Sequence, residues 1–271
     1  MPSSMIAKRL VVFDFDWTLI ETDSDFWVIK TLGGELSNEQ EAPYQTMLWT
    51  DLQELLLGKL YDRGVTRQDL ERTLREIPFT PEIIAALRLM KSEGAELCIL
   101  SDANTFYIDT ILKAHRIDHL FSKIITNPAH FNPEHRLHVA RFHGLDQAPH
   151  NCPLSCHANL CKGQELQKLI DAQIWDQVIY MGDSTNDFCP STRLQAANDI
   201  VLARSNLLLE KSIREHLEMI KAKVLYWDSP KHAFTIVQSL FGAPGSNSTS
   251  TKAQPLSSEE QQSAIPLRTT V

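Results

Sequence analysis

The fold is decided by RLVVFDFDWTL at residues 9–19. Leu10, Val11, Val12 and Phe13 form an uninterrupted apolar run, as in a strand buried on both faces of a parallel sheet. The run stops at Asp14, and a second acid, Asp16, stands two residues further on. Ligands of open α/β sheets bind beyond the carboxyl ends of the strands. An acid pair there is placed for chemistry.

Working outward, two further short apolar runs end in polar groups. ELCIL (96–100) leads into Ser101-Asp102, and QVIYM (177–181) leads into GDSTND (182–187). Helical patterns lie between them. Leu48, Leu52, Leu55, Leu56 and Leu60 recur at spacings of three and four, and Thr66 with Asp69 forms a capping box ahead of Leu70 and Leu74. Thr80-Pro81 opens a helix that Gly94 stops. Helices are also expected at 104–115, 161–171, 206–222 and 230–241, and strands at 123–126 (KIIT), 199–203 (DIVLA) and VLYW. The His-, Pro- and Asn-rich stretch 127–160 is expected to hold an irregular hairpin around Leu137 to Phe142. Alternating strands and helices imply right-handed crossovers. The fold class is therefore α/β, a Rossmann-like and mostly parallel sheet with flanking helices.

Ser101 stands 87 positions after Asp14, more than one crossover needs. The surplus predicts a small helical cap inserted after the first strand, at 26–78, with a core of 5–25 and 79–241. From Gly242 the Ser/Thr/Pro/Gln-rich composition predicts a disordered tail, 242–271.

Composition narrows the function classes. Lys+Arg of 26 against Asp+Glu of 34 gives a formal charge of -8, which argues against a nucleic-acid partner. No apolar run approaches the roughly 18 residues of a membrane span, and the short N-terminal run lacks a signal-peptide pattern. With five cysteines, an odd number suited to reduced thiols, the expected location is cytoplasmic.

Acids gathered at three strand ends repel one another unless a cation sits among them. Oxygen-only donors without clustered histidines favour a hard ion, most simply Mg²⁺. Taken together, Asp14-x-Asp16-x-Thr18-Leu19, Ser101 after ELCIL, Lys162, and GDSTND with Asp183 and Asp187 resemble the four motifs of the haloacid dehalogenase superfamily, in order, over residues 9–240. FDFDWTLIETDSDFWV, SDANTFYIDTI, TNP, CHANLCKG and GDSTNDFCP further resemble the phosphoethanolamine/phosphocholine phosphatases, with their pyridoxal-phosphate and pyrophosphate-cleaving relatives.

The chemistry follows from the side chains. Asp14 is suited to attack phosphorus and form an aspartyl-phosphate. Asp16 is suited to protonate the leaving alkoxide and then to deprotonate water. A dehalogenase has no alkoxide to protonate, so Asp16 favours phosphate esters. The resemblance implies Mg²⁺ held by the Asp14 carboxylate, the Asp16 carbonyl and Asp183, with Asp187 in support. It also implies a phosphoryl oxygen bound by Ser101 and Lys162. Asp25 and Asp102 align with positions that recognise an amino or choline headgroup; the competing reading makes each a helix cap. Trp17, where the family commonly has a charged residue, is expected to reshape the entrance. Trp27, Tyr44 and Trp49 are further cation–π candidates.

The expected activity is Mg²⁺-dependent hydrolysis of a small phosphomonoester through an aspartyl-phosphate, with phosphoethanolamine or phosphocholine the favoured substrate. A pyridoxal-phosphate or pyrophosphate phosphatase, a phosphotransferase and an inactive binding module are the alternatives. Cys152, Cys156 and Cys161 lie near His143, His150 and His157. Three readings stand open: packed thiols, a structural zinc completed by one histidine, or a redox pair. Cys98 and Cys189 read as buried apolar residues.

Overall fold

The computed structural model describes residues 7–39, 47–148, 150–154 and 156–242. Tyr44 and the expected tail beyond Gly242 lie outside them. The centre is a six-stranded parallel sheet in the order β3-β2-β1-β6-β7-β8. Its strands are β1 (Arg9–Phe13), β2 (Glu96–Asn104), β3 (Phe121–Asn127), β6 (Gln177–Gly182), β7 (Ile200–Arg204) and β8 (Lys223–Trp227). A separate antiparallel pair, β4 (Ala129–Phe131) and β5 (Leu137–Val139), lies at the start of the long stretch, so the hairpin begins earlier than expected.

Side chains alternate across the pleat although both faces are buried. Val11, Phe13, Leu97, Ile99, Ile179 and Met181 enter one apolar core. Leu10, Val12, Cys98, Leu100, Val178 and Tyr180 enter the other. The first core is covered by α4 (Pro81–Ser92), α5 (Thr105–Ala114) and α9 (Pro230–Phe241), the second by α6 (Lys162–Asp171) and α8 (Leu208–Glu215).

Three helices follow β1: α1 (Ser24–Gly33), α2 (Trp49–Asp62) and α3 (Arg67–Arg75). Leu52, Leu56, Leu57 and Leu60 form the buried stripe of α2, whereas Leu55 falls on its exposed side. The Thr66–Asp69 capping box forms, as does the Thr80 cap with Pro81 in the first turn. Gly94 takes the left-handed conformation that ends α4. The helix expected at 206–222 is shorter. After burying Leu209 and Ile213 it breaks at His216, and one 3₁₀ turn, Leu217–Met219, follows. A short helix absent from the sequence reading, α7 (Phe188–Ser191), follows the GDSTND turn.

From β1 the chain winds to β2 and β3 on one side, then returns to β6, β7 and β8 on the other. The strand order therefore reverses between β1 and β6. Their carboxyl ends are the crevice expected for a ligand.

Candidate active site

Asp14 leaves β1 with its backbone N–H still donating to the Met181 carbonyl of β6, at 2.9 Å. Sheet pairing therefore holds the carboxylate in place. The chain then turns tightly, with Leu19 and Ile20 N–H groups both donating to the Phe15 carbonyl. Trp17 takes a left-handed conformation (φ 57°), and its carbonyl accepts from Arg204 Nη1 at 2.5 Å. The same guanidinium lies 5.8 Å from the Trp17 ring centroid. The indole thus shares a cation from the end of β7.

Lys162 opens α6 and is only 1% exposed. Its Nζ stands 2.8 Å from Asp14 Oδ1 and 2.8 Å from Asp187 Oδ1. Asp187 is completely buried and held from every side. Oδ1 also accepts from the Tyr180 hydroxyl at 2.6 Å, and Oδ2 accepts the Asp183 and Ser184 N–H groups at 2.9 Å each. Gly182 is required here, because a Cβ would stand 2.6 Å from the Asp187 carboxyl carbon. Asp183 receives the Thr18 hydroxyl at 3.2 Å. Carboxylate oxygens of Asp14, Asp183 and Asp187 all lie within 4.8 Å of one another.

So much buried negative charge shifts proton affinities. Burial first, then the Asp187 charge, pushes Asp14 from its ordinary 3.8 up to about 7 despite Lys162. Burial, then Asp14 and Asp187, also raises Asp183 well above the carboxylate range. Burial works to lower Lys162, but Asp14, Asp187 and Asp102 outweigh it and hold the ammonium charged. Asp16 points elsewhere. Its carboxylate accepts the Ser24 N–H at 2.9 Å and the Ser24 hydroxyl at 3.1 Å. Burial, then Asp23 and Asp25, raises it well above the usual range.

β2 continues four residues beyond the expected 96–100, and Ser101 is buried within it, where its Oγ accepts from the Ala103 N–H at 3.1 Å. Neither candidate headgroup acid caps a helix. Asp23 caps α1, and buried Asp25 instead accepts from the Trp49 indole at 2.8 Å. Asn104 caps α5, while Asp102 accepts from Asn186 Nδ2 at 2.6 Å. Trp27 braces the helices, its indole donating to the Thr73 carbonyl at 3.1 Å.

Two asparagines escaped the sequence reading. Asn127 Nδ2 donates to the Asp102 and Ala103 carbonyls at 2.6 and 3.0 Å. Asn159 Nδ2 reaches Asn127 Oδ1 and the Thr50 hydroxyl of α2 at 2.9 Å each. These bonds tie α2 to the Asp102-Ala103 stretch of β2. TNP and CHANLCKG contained both residues, but nothing in their spacing placed them side by side. The histidine-completed metal reading is corrected as well. His150 Nε2 lies 2.7 Å from the His157 carbonyl oxygen and His143 Nε2 lies 2.5 Å from that of Ala148. Cys189, not a histidine, joins Cys152, Cys156 and Cys161. Cys189 is buried as expected, but its sulfur packs among three others.

Among the described residues, no helix is long and apolar enough to cross a membrane. The profile of the family described as Putative Phosphatase matches residues 9–241. A thiamine phosphate phosphatase-like protein of Arabidopsis thaliana is 36% identical over 87% of this chain and 96% of its own length. Inorganic pyrophosphatase 1 of the same plant is 36% identical over 79% of this chain and 73% of its own. The mouse (Mus musculus) pyridoxal phosphate phosphatase PHOSPHO2 is 33% identical over 82% and 94%. Among solved structures, a haloacid dehalogenase family hydrolase of Salmonella enterica serovar Typhi superposes with a TM-score of 0.60 at 14% identity. It covers 90% of this chain and 74% of that one. With the acid crevice in place, this chain belongs to the putative phosphatase family and is a phosphatase, with the fold of the haloacid dehalogenase family hydrolases.

Proposed function

We propose that the chain hydrolyses a small phosphomonoester through an aspartyl-phosphate on Asp14, and that the ester carries a cationic organic group. Phosphoethanolamine and phosphocholine lead. The observation behind this is the placing of Asp14 against Lys162 on one side, with Asp16, Asp23 and Asp25 grouped on the following turn. An Asp14 oxygen attacks phosphorus as the ester P–O bond breaks. Asp16, held protonated by its neighbours, gives its proton to the leaving alkoxide. It then takes a proton from the water that cleaves the acyl-phosphate, which releases inorganic phosphate and restores Asp14. Lys162 and Ser101 bind the phosphoryl oxygens.

The buried donors near Asp14 are carboxylate oxygens that a single lysine does not neutralise, which fits a hard cation such as Mg²⁺. Asp14, Asp183 and the Asp16 carbonyl would hold it. Asp187, with both oxygens already bonded, would support from behind. Bound there, the ion would neutralise the carboxylates so that a phosphate dianion can approach. A pH dependence follows for the metal-free protein. Asp14 has a folded pKa above its unfolded 3.8, so its stabilising contribution is present below pH 3.8 and lost as pH rises through about 7. Asp69, lowered to about 2, makes its opposite contribution below that window. Thermal melts without metal should fall by roughly 5–10 °C between about pH 4.5 and 8, and Mg²⁺ should remove the fall. A flat profile without metal would contradict the buried-charge reading.

The helices α1–α3 act as the cap, closing over the site and excluding water. Asp25 and Asp102 make the leaving-group side negative. The Tyr107 hydroxyl, buried without a partner among the described residues, lies in the field of Asp25, Asp16 and Asp23. An ammonium suits that charge. Pyridoxal phosphate and pyrophosphate are the second reading, on the names of the relatives, but pyrophosphate brings only negative charge to these acids. The same reading places the enzyme in the cytoplasm, where its thiols stay reduced. A panel of phosphate esters, assayed for phosphate release with and without Mg²⁺, tests it. Phosphoethanolamine or phosphocholine should exceed glycerol phosphate and pyrophosphate at least about tenfold in kcat/KM, and Asp25→Asn should erase most of that margin. Pyrophosphate at the head of the panel would overturn the substrate proposal while leaving the chemistry at Asp14 intact.

A further inference from the structure

Four thiols converge beside the crevice from three separate places in the chain. Cys152 and Cys156 lie on the stretch before α6, Cys161 is the residue before Lys162, and Cys189 belongs to α7. All four sulfurs lie within 4.8 Å of one another. The Cys189 sulfur is 3.5 Å from that of Cys152 and 3.9 Å from that of Cys161. None of the four is in a disulfide.

We propose that these four cysteines hold one structural Zn²⁺. A tetrahedron with Zn–S bonds of about 2.3 Å has edges of about 3.8 Å, and the two separations above straddle that length. Four thiolates leave no open position, so the ion would be structural, whereas the acid crevice offers only oxygen. Binding releases four thiol protons and leaves a ZnS₄ centre of charge −2. A counter-charge stands beside it. Arg193 Nη2 lies 4.0 Å from Cys189 Sγ, and its Nε is buried without a partner among the described residues. The backbone is shaped for the cluster as well, since a Cβ at position 163 would stand 2.3 Å from the Cys189 sulfur, and the residue there is Gly163.

The site would clamp the two proposed catalytic elements together. Cys161 directly precedes Lys162, and Cys189 lies two residues after Asp187, so one ion would fix both ends of the Lys162–Asp187 pair.

The test is metal content, independent of turnover. The full-length chain should purify with about one zinc per chain, retained through chelation mild enough to remove Mg²⁺. Asp183→Asn should keep that zinc, whereas Cys152→Ser and Cys189→Ser should lose most of it. Replacement by Co²⁺ should produce thiolate-to-metal charge-transfer bands. Purified wild-type protein with negligible zinc and four titratable thiols would overturn the proposal. So would stoichiometric iron in place of zinc, or a Co²⁺ spectrum of oxygen donors only. Wild-type and Asp183→Asn protein decide the matter even if a cysteine variant fails to fold.

Discussion

Asp14→Asn should lower phosphate release by about 10⁴-fold or more, the scale seen when a covalent nucleophile is removed, while the protein stays folded. Asparagine has the same shape but no anionic oxygen to attack phosphorus. Its fold should survive because Lys162 keeps Asp187 as a partner at 2.8 Å. The metal-free variant should even melt higher than the metal-free wild type near pH 8. The reason is that Asp14, raised to about 7 by burial and then by Asp187, is the carboxylate whose ionisation costs stability there. Single-turnover assays and melts on the same preparation check both halves. Activity within tenfold of wild type would remove Asp14 as nucleophile.

Lys162→Met should damage stability and turnover together. It removes the cation that contacts both Asp14 and Asp187 and leaves those acids buried. Breaking a buried pair from one side costs about 3–5 kcal/mol, or roughly 10–15 °C in Tm for a domain of this size. The sign with pH is set by the acids. The loss should be larger near pH 8, where Asp14 is ionised, than near pH 5, where protonation relieves it. Turnover should fall by about 10²–10³-fold because the phosphoryl group loses a charged partner. Lys162→Arg should not restore it, since a planar fork cannot reproduce a point charge shared between two carboxylates. An unchanged melting curve at pH 8 would show that the pair does not hold the site together.

Asp14 and Asp183 directly follow short apolar strands and Lys162 opens a helix, whereas Asp16 lies in the turn after β1 and Ser101 within a β2 that runs four residues beyond ELCIL. Strand polarity alone puts Asp14 and Asp183 at one edge of the sheet, while the meeting of Lys162 with Asp14 belongs to the tertiary structure. Asp25 and Asp102 were harder, because a carboxylate near a helix start reads equally as a cap. The structure gives those caps to Asp23 and Asn104. Which of two neighbouring side chains turns back to the backbone depends on φ and ψ at that residue, and a string of letters does not carry them. Leu55 failed for a different reason: the five leucines share one side of the helix, but packing rotates the buried side toward Gln53 and Leu57 and leaves Leu55 at its exposed edge.

The acidic excess is a property of the whole chain, whereas the proposed chemistry rests on a few buried acids around one lysine. The amino-acid sequence by itself determined the parallel α/β sheet, the helical segment after the first strand and the acids at the strand ends, because each depends on periodicity and order along the chain. Only the tertiary structure decided that Asp187 is fully bonded, that Asn127 and Asn159 tie α2 to Asp102 and Ala103 of β2, and that Cys189 meets three cysteines at least 28 residues away. Those are meetings between distant segments. They arise when the sheet closes and burial obliges polar groups and thiols to find partners.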